Sequence, residues 1–338
     1  MKMSQWQRII LGFCIFLLAV FIFVSPLVAK DKDLGSRFGI GAFVLNRYQD
    51  NELDKAISSI KKLDATWSRE EFVWSELEPI RGEWRWEIYD EKVKKLNKAG
   101  INILGLLDYS APWATEDAKR MDSDKYPPNI VAWENYIRQV AKHYDGQVTY
   151  WEIWNEPNSP VFFRPAPDAQ KYFELLSVAY KTIKDINPSA KIVLGGIAGV
   201  DTTYLDQLLI FGANKYCDIV AIHPYPNQFR IPPESNGLSE NLKEIDIVAQ
   251  KFAKPIWITE IGWPTDSAIG ITEEKQAQFL LNANLLLVSN QNIKKIFWYN
   301  LRDDGSDPKN PEDNFGLLRR DYSEKPSFAV LRKMITDY

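Results

Sequence analysis

Two runs in the chain stop on a carboxylate just where an apolar, β-rich pattern ends. "TYWEIWNEP" delivers Asn155 and Glu156 ahead of a proline, and "PIWITE" delivers Glu260. A segment that only packs has little use for an amide and an acid at that point. Two carboxylates brought face to face are the minimum equipment for cleaving a glycosidic bond: one gives a proton to the leaving oxygen and the other attacks the anomeric carbon. For that to work, their surroundings must hold the two pKa values apart. Other residues at run ends suit the task. Asn155 can hydrogen-bond a sugar 2-hydroxyl, Arg69 can keep Glu260 ionised, Tyr225 can hold the same carboxylate, and His223 ends another run. Trp263 and Trp298 are expected to stack on a sugar ring, and Asp108 and Trp113 are candidate groove residues.

Eight short β-rich runs must position these groups. They are "FGIGAFV" from Phe38, "DATWSR" ending at Arg69, "INILGLLD" ending at Asp108, "VTYWEIWNE" ending at Glu156, "KIVLGG" from Lys191, "CDIVAIH" ending at His223, "PIWITE" ending at Glu260 and "IKKIFWYN" ending at Asn300. Helical spacing separates them, clearest in Ile130, Trp133, Ile137, Val140 and Tyr144 and again in Tyr172, Leu176, Ala179, Ile183 and Ile186. Gly100 and Pro188 stand where helices should stop, and Thr272 where one should start. Strand and helix alternating eight times predict a parallel (β/α)8 barrel, whose strand ends point into one mouth. A doubly wound open sheet is the other architecture considered, but "GIGAFVLN" lacks the glycine spacing of a nucleotide-binding first turn. Long connections at Tyr109 to Pro128, Pro224 to Gly237 and Tyr299 to Lys325 all follow strand ends, the side on which a barrel builds its site.

Composition narrows the partners. The chain has 338 residues, 45% hydrophobic and 25% charged, with a net charge of -4, which suits a globular body and gives no reason to expect nucleic acid. With only His143 and His223 available, a histidine-rich metal centre is not expected; no cofactor is implied, and His143 reads as structural. Cys14 and Cys217 cannot pair within a mature chain if the leader is removed. Residues 1–29, with Lys2 and Arg8 ahead of an apolar run from Ile9 to Val24 and a small Ala29, read as a secretory signal or an uncleaved membrane anchor, leaving 30–338 as a single catalytic domain outside the cytoplasm. Contact with a membrane is expected only through that leader, and oligomeric state is not legible.

"WEIWNEPN", "DIVAIHPYP" and "WITEIGWPT", in that order and spacing, resemble the clan A retaining glycoside hydrolases. Together with "TWSREEFVWSELEPIRGEWRW", they look most like glycoside hydrolase family 39 and its relatives. The resemblance spans about residue 35 to the end. It implies Glu156 as acid/base, Glu260 as nucleophile, and Asn155, Arg69, His223 and Tyr225 as supporting residues. It also implies retention of configuration, with carboxyl groups about 5 to 5.5 Å apart. Family 39 xylosidases and iduronidases usually carry an accessory β-sandwich; a bare barrel fits attack inside a polysaccharide better than trimming of a terminal sugar. A carbohydrate-binding surface protein without turnover, or a transglycosidase that remodels a glycan, are the alternatives.

Overall fold

The structure, a computed structural model, describes residues 35–337 apart from 227, 228, 236, 267, 269 and 270. The expected signal or anchor at 1–29 lies outside the described residues. Eight parallel strands close into a barrel in sequence order: β1 (Phe38–Gly41), β2 (Trp67–Val73), β3 (Asn102–Asp108), β4 (Tyr150–Ile153), β5 (Lys191–Ala198), β6 (Ile219–His223), β7 (Ile256–Ile261) and β8 (Ile293–Tyr299). The ring closes where β1 pairs with β8, Gly41 lying opposite Tyr299. Each strand is followed by a principal helix: α1 (Asp50–Leu63), α2 (Glu87–Lys98), α3 (Ile130–His143), α4 (Ala169–Ile186), α5 (Thr202–Phe211), α6 (Leu238–Phe252), α7 (Glu273–Ser289) and α8 (Pro326–Asp337). This is the (β/α)8 barrel that the alternation predicts. Among the described residues no helix is long and apolar enough to cross a membrane.

Local chemistry sets the helix ends. The Asn129 side chain accepts from Val131 and Ala132 N–H at the start of α3, Asp168 from Lys171 at α4, and Thr272 from Lys275 at α7. Gly100, at φ 75°, follows α2 in the left-handed conformation that glycine adopts without penalty. The α3 stripe buries Trp133, Ile137, Val140 and Tyr144 completely, whereas Ile130 at its head stays exposed. Cys217 is buried, and burial pushes its thiol up to about 12.

Several strands end elsewhere than the pattern predicts. Arg69 lies within β2, which runs four residues further, to Val73. β4 stops at Ile153, short of Asn155 and Glu156, because Trp154 and Glu156 both take up left-handed backbone, at φ 66° and 45°. Such conformations are costly for residues with a side chain and persist where neighbours hold them. Trp154 N–H donates to Leu107 O at 3.0 Å, its indole donates to Phe162 O at 3.0 Å, and Glu156 N–H donates to Gly196 O at 3.0 Å. This double kink turns the end of β4 and presents Asn155 and Glu156 at the mouth.

Candidate active site

Two-residue alternation along each strand decides what fills the barrel. Near one end, Trp67, Tyr150, Trp257 and Phe297 close the interior with edge-to-face and stacked contacts. Two residues further along the same four strands stand Arg69, Glu152, Thr259 and Tyr299, and His223 joins them from β6. The interior therefore changes from aromatic to polar within one repeat of the pleat.

Arg69 is the hub of that polar layer. Its guanidinium, fully buried, donates to Glu152 from Nε at 2.7 Å and from Nη2 at 3.2 Å, to Asn155 Oδ1 at 3.0 Å and to Glu260 Oε1 at 2.5 Å. Charge-assisted bonds of this kind are among the strongest available to side chains, and a buried guanidinium requires them. Tyr225 donates to the other oxygen of Glu260 at 3.0 Å. Burial opposes charge on Glu260, but His223, Arg69 and the Tyr225 hydroxyl outweigh it and hold the carboxyl below its usual range. Glu260 is thus kept as an anion. Asn155 in turn donates to the Tyr109 hydroxyl at 3.1 Å.

His223 links the two acids. Its Nε2 lies 2.9 Å from the Thr259 hydroxyl, which itself donates to Glu152 Oε1 at 3.1 Å. The hydroxyl's one proton is committed to Glu152, so Nε2 must be the donor to Thr259. Nδ1 sits 2.9 Å from Glu156 Oε1 and 3.8 Å from Glu260 Oε2. A second proton must therefore lie between Nδ1 and Glu156, on one or the other. Burial disfavours the imidazolium, yet Glu260 and the bond to Glu156 together raise the His223 pKa above its ordinary value. The imidazole fits only because position 196 is glycine: a Cβ there would come within 2.0 Å of Nε2.

Oxygen atoms of Glu156 and Glu260 and a nitrogen of His223 all lie within 4.8 Å of one another. That separation is nearer the retaining geometry, about 5 to 5.5 Å, than the inverting one, about 6.5 to 9.5 Å. Three such atoms could in principle surround a cation, but Arg69 and Tyr225 already occupy Glu260, and His223 Nδ1 is engaged by Glu156. A cavity of about 610 Å³ opens above the pair.

Of the residues expected to contact sugar, Asn155, Glu156, Tyr225 and Glu260 line this cavity. Arg69 and His223 are buried next to them, each bonded to one of the acids. Trp298 and Trp263 do not reach the cavity: both are 1% exposed and stack on one another at 5.9 Å. Trp298 has the outward parity of β8, so Tyr299 occupies the inward place expected for it. Trp113 is half-buried on the far side of the loop after β3, against Trp74, its indole donating to Glu78 O at 2.8 Å. Asp108 is fully buried with neither oxygen hydrogen-bonded, and burial, aided by Glu71, drives its carboxyl well above the usual range. His143 is structural as expected, stacked on Trp86 and 2.8 Å from Asp90.

Sequence reasoning missed Glu152 and most of the wall. Phe43, Arg47, Glu71, Tyr109, Lys125, Phe162, Phe229, Tyr299, Glu312 and Phe315 all line the cavity; Glu71 and Tyr299 stand on β2 and β8, and the other eight come from five different connections. Glu152 did carry a signal: an acid in a fully buried parallel strand needs a cation, and Arg69 was at hand.

A parallel barrel with two acids facing one another at its mouth, one held ionised and the other against an imidazole, has the equipment for cleaving a glycosidic bond. Comparison with known proteins agrees. The glycosyl hydrolase catalytic core family matches residues 122–321, and a β-galactosidase family matches residues 42–107. The chain belongs to the glycosyl hydrolase catalytic core family. A family 39 glycoside hydrolase from Bacteroides cellulosilyticus superimposes with a TM-score of 0.71 at 26% identity, over 90% of this chain and 64% of that one. A monomeric β-xylosidase from Caulobacter crescentus gives 0.71 at 17% identity, over 89% and 68% of the two chains, a likeness of fold. A β-xylosidase from Caldicellulosiruptor saccharolyticus is 25% identical over 154 residues, 40% of this chain and 30% of that enzyme. The chain thus spans less than a third of the length of the curated relative it matches.

Proposed function

We propose that the protein is a retaining β-glycosidase that cleaves a polysaccharide, with Glu260 as nucleophile and Glu156 as acid/base. The observation that carries this reading is the asymmetry of the pair. Glu260 is clamped by Arg69 and Tyr225 as an anion, while Glu156, less than 5 Å away, faces His223 across a contact that holds a proton. In the first step Glu260 attacks the anomeric carbon as the glycosidic bond breaks, and the proton shared by His223 and Glu156 passes through Glu156 to the departing oxygen. Asn155, fixed between Arg69 and Tyr109, is placed for a sugar 2-hydroxyl. In the second step Glu156 takes a proton from water, the water oxygen bonds to the anomeric carbon, and Glu260 is released as the carboxylate. Buried carboxylate–guanidinium and carboxylate–hydroxyl bonds made before substrate arrives stabilise the charge on Glu260 when it leaves.

Internal attack on a polymer is supported by the surface next to the pocket. Arg164 N–H donates to Lys125 O at 2.9 Å, joining the loops after β4 and β3. Beyond that joint, the same two loops line a second cavity of about 660 Å³ with Tyr126, Pro127 and Pro165 on its wall. A chain longer than one sugar has surface to continue along. Action outside the cytoplasm is supported by the apolar leader after Lys2 and Arg8.

New reducing ends, measured after incubation with xylan, β-1,4-galactan, glucomannan and mixed-linkage β-glucan, test the reading. We expect internal cleavage of at least one polymer by the parent and none by Glu260→Ala. Equal activity of the two proteins would rule out the assignment, and binding without cleavage would favour a carbohydrate-binding surface protein.

A further inference from the structure

Strand β2 carries the tripeptide Arg69-Glu70-Glu71, whose middle member points away from the barrel. Arg69 and Glu71 face the site, whereas Glu70 is fully buried on the outer face, next to the segment that leaves β1. That segment, Phe43 to Tyr48, begins with Phe43 at φ 50° and makes one helical turn at Val44–Arg47. Two of its residues, Phe43 and Arg47, stand in the wall of the catalytic cavity.

Val44 and Leu45 are fully buried, so their backbone N–H groups need acceptors. Glu70 supplies them: Oε2 accepts from Leu45 N–H at 3.0 Å, the carboxyl also accepts from Val44 N–H, and Oε1 accepts from the Ser68 hydroxyl. Other ties to the segment come from the same region. Phe43 N–H donates to Arg69 O at 3.3 Å, Asn46 donates to Glu71, and Lys92 of α2 donates to Leu45 O. At the far end, the Arg47 guanidinium lies 4.3 Å over the Phe43 ring and pairs with Asp304 at 2.5 Å.

We propose that Glu70, which touches no substrate, is a positioning residue: by capping the buried amides of Val44 and Leu45 it fixes where Phe43 and Arg47 stand in the substrate pocket. The proposal rests on the glycosidase reading only for its kinetic consequence; the local geometry is independent of it. Burial pushes the Glu70 carboxyl up to about 7 against the pull of Ser68 and the two amides, with Glu71 raising it further. Lys92 is the cation that faces it. A neutral amide should therefore serve as well as the acid, because glutamine keeps a carbonyl oxygen for the backbone donors.

The test combines amide hydrogen exchange with kinetics on 4-nitrophenyl β-xyloside and β-glucoside. In Glu70→Ala and Glu70→Asp, the second of which is too short to reach Leu45 from β2, amides 43–48 should exchange at least about 10-fold faster than in the parent while the barrel strands remain protected. Glu70→Gln should restore parental exchange. On whichever aryl glycoside the parent cleaves, KM should rise on the order of 10-fold in Glu70→Ala and Glu70→Asp, with a smaller change in kcat, because the wall is displaced while the acids are not. Glu70→Ala combined with Arg47→Ala should lose less than the product of the two separate losses, because the part of the Glu70 effect that acts through Arg47 is already gone. Unchanged exchange at 43–48 in the aspartate variant, or fold-losses that multiply in the double variant, would overturn the proposal. If the parent cleaves neither glycoside, the reading as a hydrolase of these sugars is in question, while the exchange pattern still decides the role of Glu70.

Discussion

Replacing Arg69 by methionine isolates the interaction on which the site depends. The side chain is fully buried and makes four hydrogen bonds, to Glu152, Asn155 and Glu260. Its loss leaves two buried carboxylates without their cation, a change that costs about 3 to 5 kcal/mol when one partner of a buried pair is removed. For a chain of this size, roughly 2 °C per kcal/mol turns that into a fall in melting temperature on the order of 8 °C. The loss should depend on pH in a defined direction. Glu260 has its pKa held below the ordinary 4.5, partly by Arg69, so this contribution to stability is present above pH 4.5 and disappears as pH falls through the lower folded value. The gap between parent and variant should therefore be wide at pH 7 and shrink towards pH 3. Adding Glu152→Gln to Arg69→Met removes one uncompensated charge while keeping an acceptor for Gly196 N–H, which Glu152 accepts from at 2.8 Å. The double variant should recover more than half of the lost stability and none of the activity. Urea unfolding at four pH values measures the stability gaps, a thermal melt the change in melting temperature, and a turnover assay on the same variants the activity. A single variant within about 1 kcal/mol of the parent at pH 7, or a gap indifferent to pH, would refute the argument.

Other expectations follow from the same contacts. Glu260→Ala should lose nearly all turnover, and azide should restore part of it on an activated aryl glycoside, giving a product of inverted configuration visible by proton NMR. Glu156→Ala should spare the first step for good leaving groups and slow the second, so a burst of aryl alcohol should appear; equal loss across leaving groups would point to a structural role instead. Gly196→Ala should displace His223 and reduce kcat by about 10²-fold, since the new methyl would meet the imidazole, and the circular dichroism of the barrel should remain. Tyr225→Phe removes a donor to Glu260 and should raise the acidic limb of the kcat/KM profile towards higher pH.

The barrel was legible in the sequence because eight apolar runs alternate with helix stripes, and that order alone implies the closed parallel ring. The paired acids and their donors were legible too, since polar residues at the ends of buried strands have few structural uses. Orientation was harder to read. Trp298 and Tyr299 are neighbours of similar character, and only the inward parity of β8 tells which one faces the cavity. The end of β4 was read three residues too far, at Glu156 instead of Ile153, because nothing in "WEIWNEPN" announces that Trp154 and Glu156 turn left-handed. The cavity wall was the least visible part. Arg47, Lys125 and Phe315 belong to connections whose paths depend on contacts far away in sequence, such as the tie from Glu70 to Leu45. No periodicity records such contacts.

Covalent labelling tests the central assignment most directly. The full chain would be incubated with 2-deoxy-2-fluoro-β-glycosyl fluorides of xylose, glucose, galactose and mannose, digested with pepsin and examined by mass spectrometry. One of these reagents should leave a single fluoroglycosyl group on Glu260, in the peptide that contains Trp257 to Ile261. A label on any other carboxylate, or cleavage of the reagent with inversion and no label, would contradict the assignment.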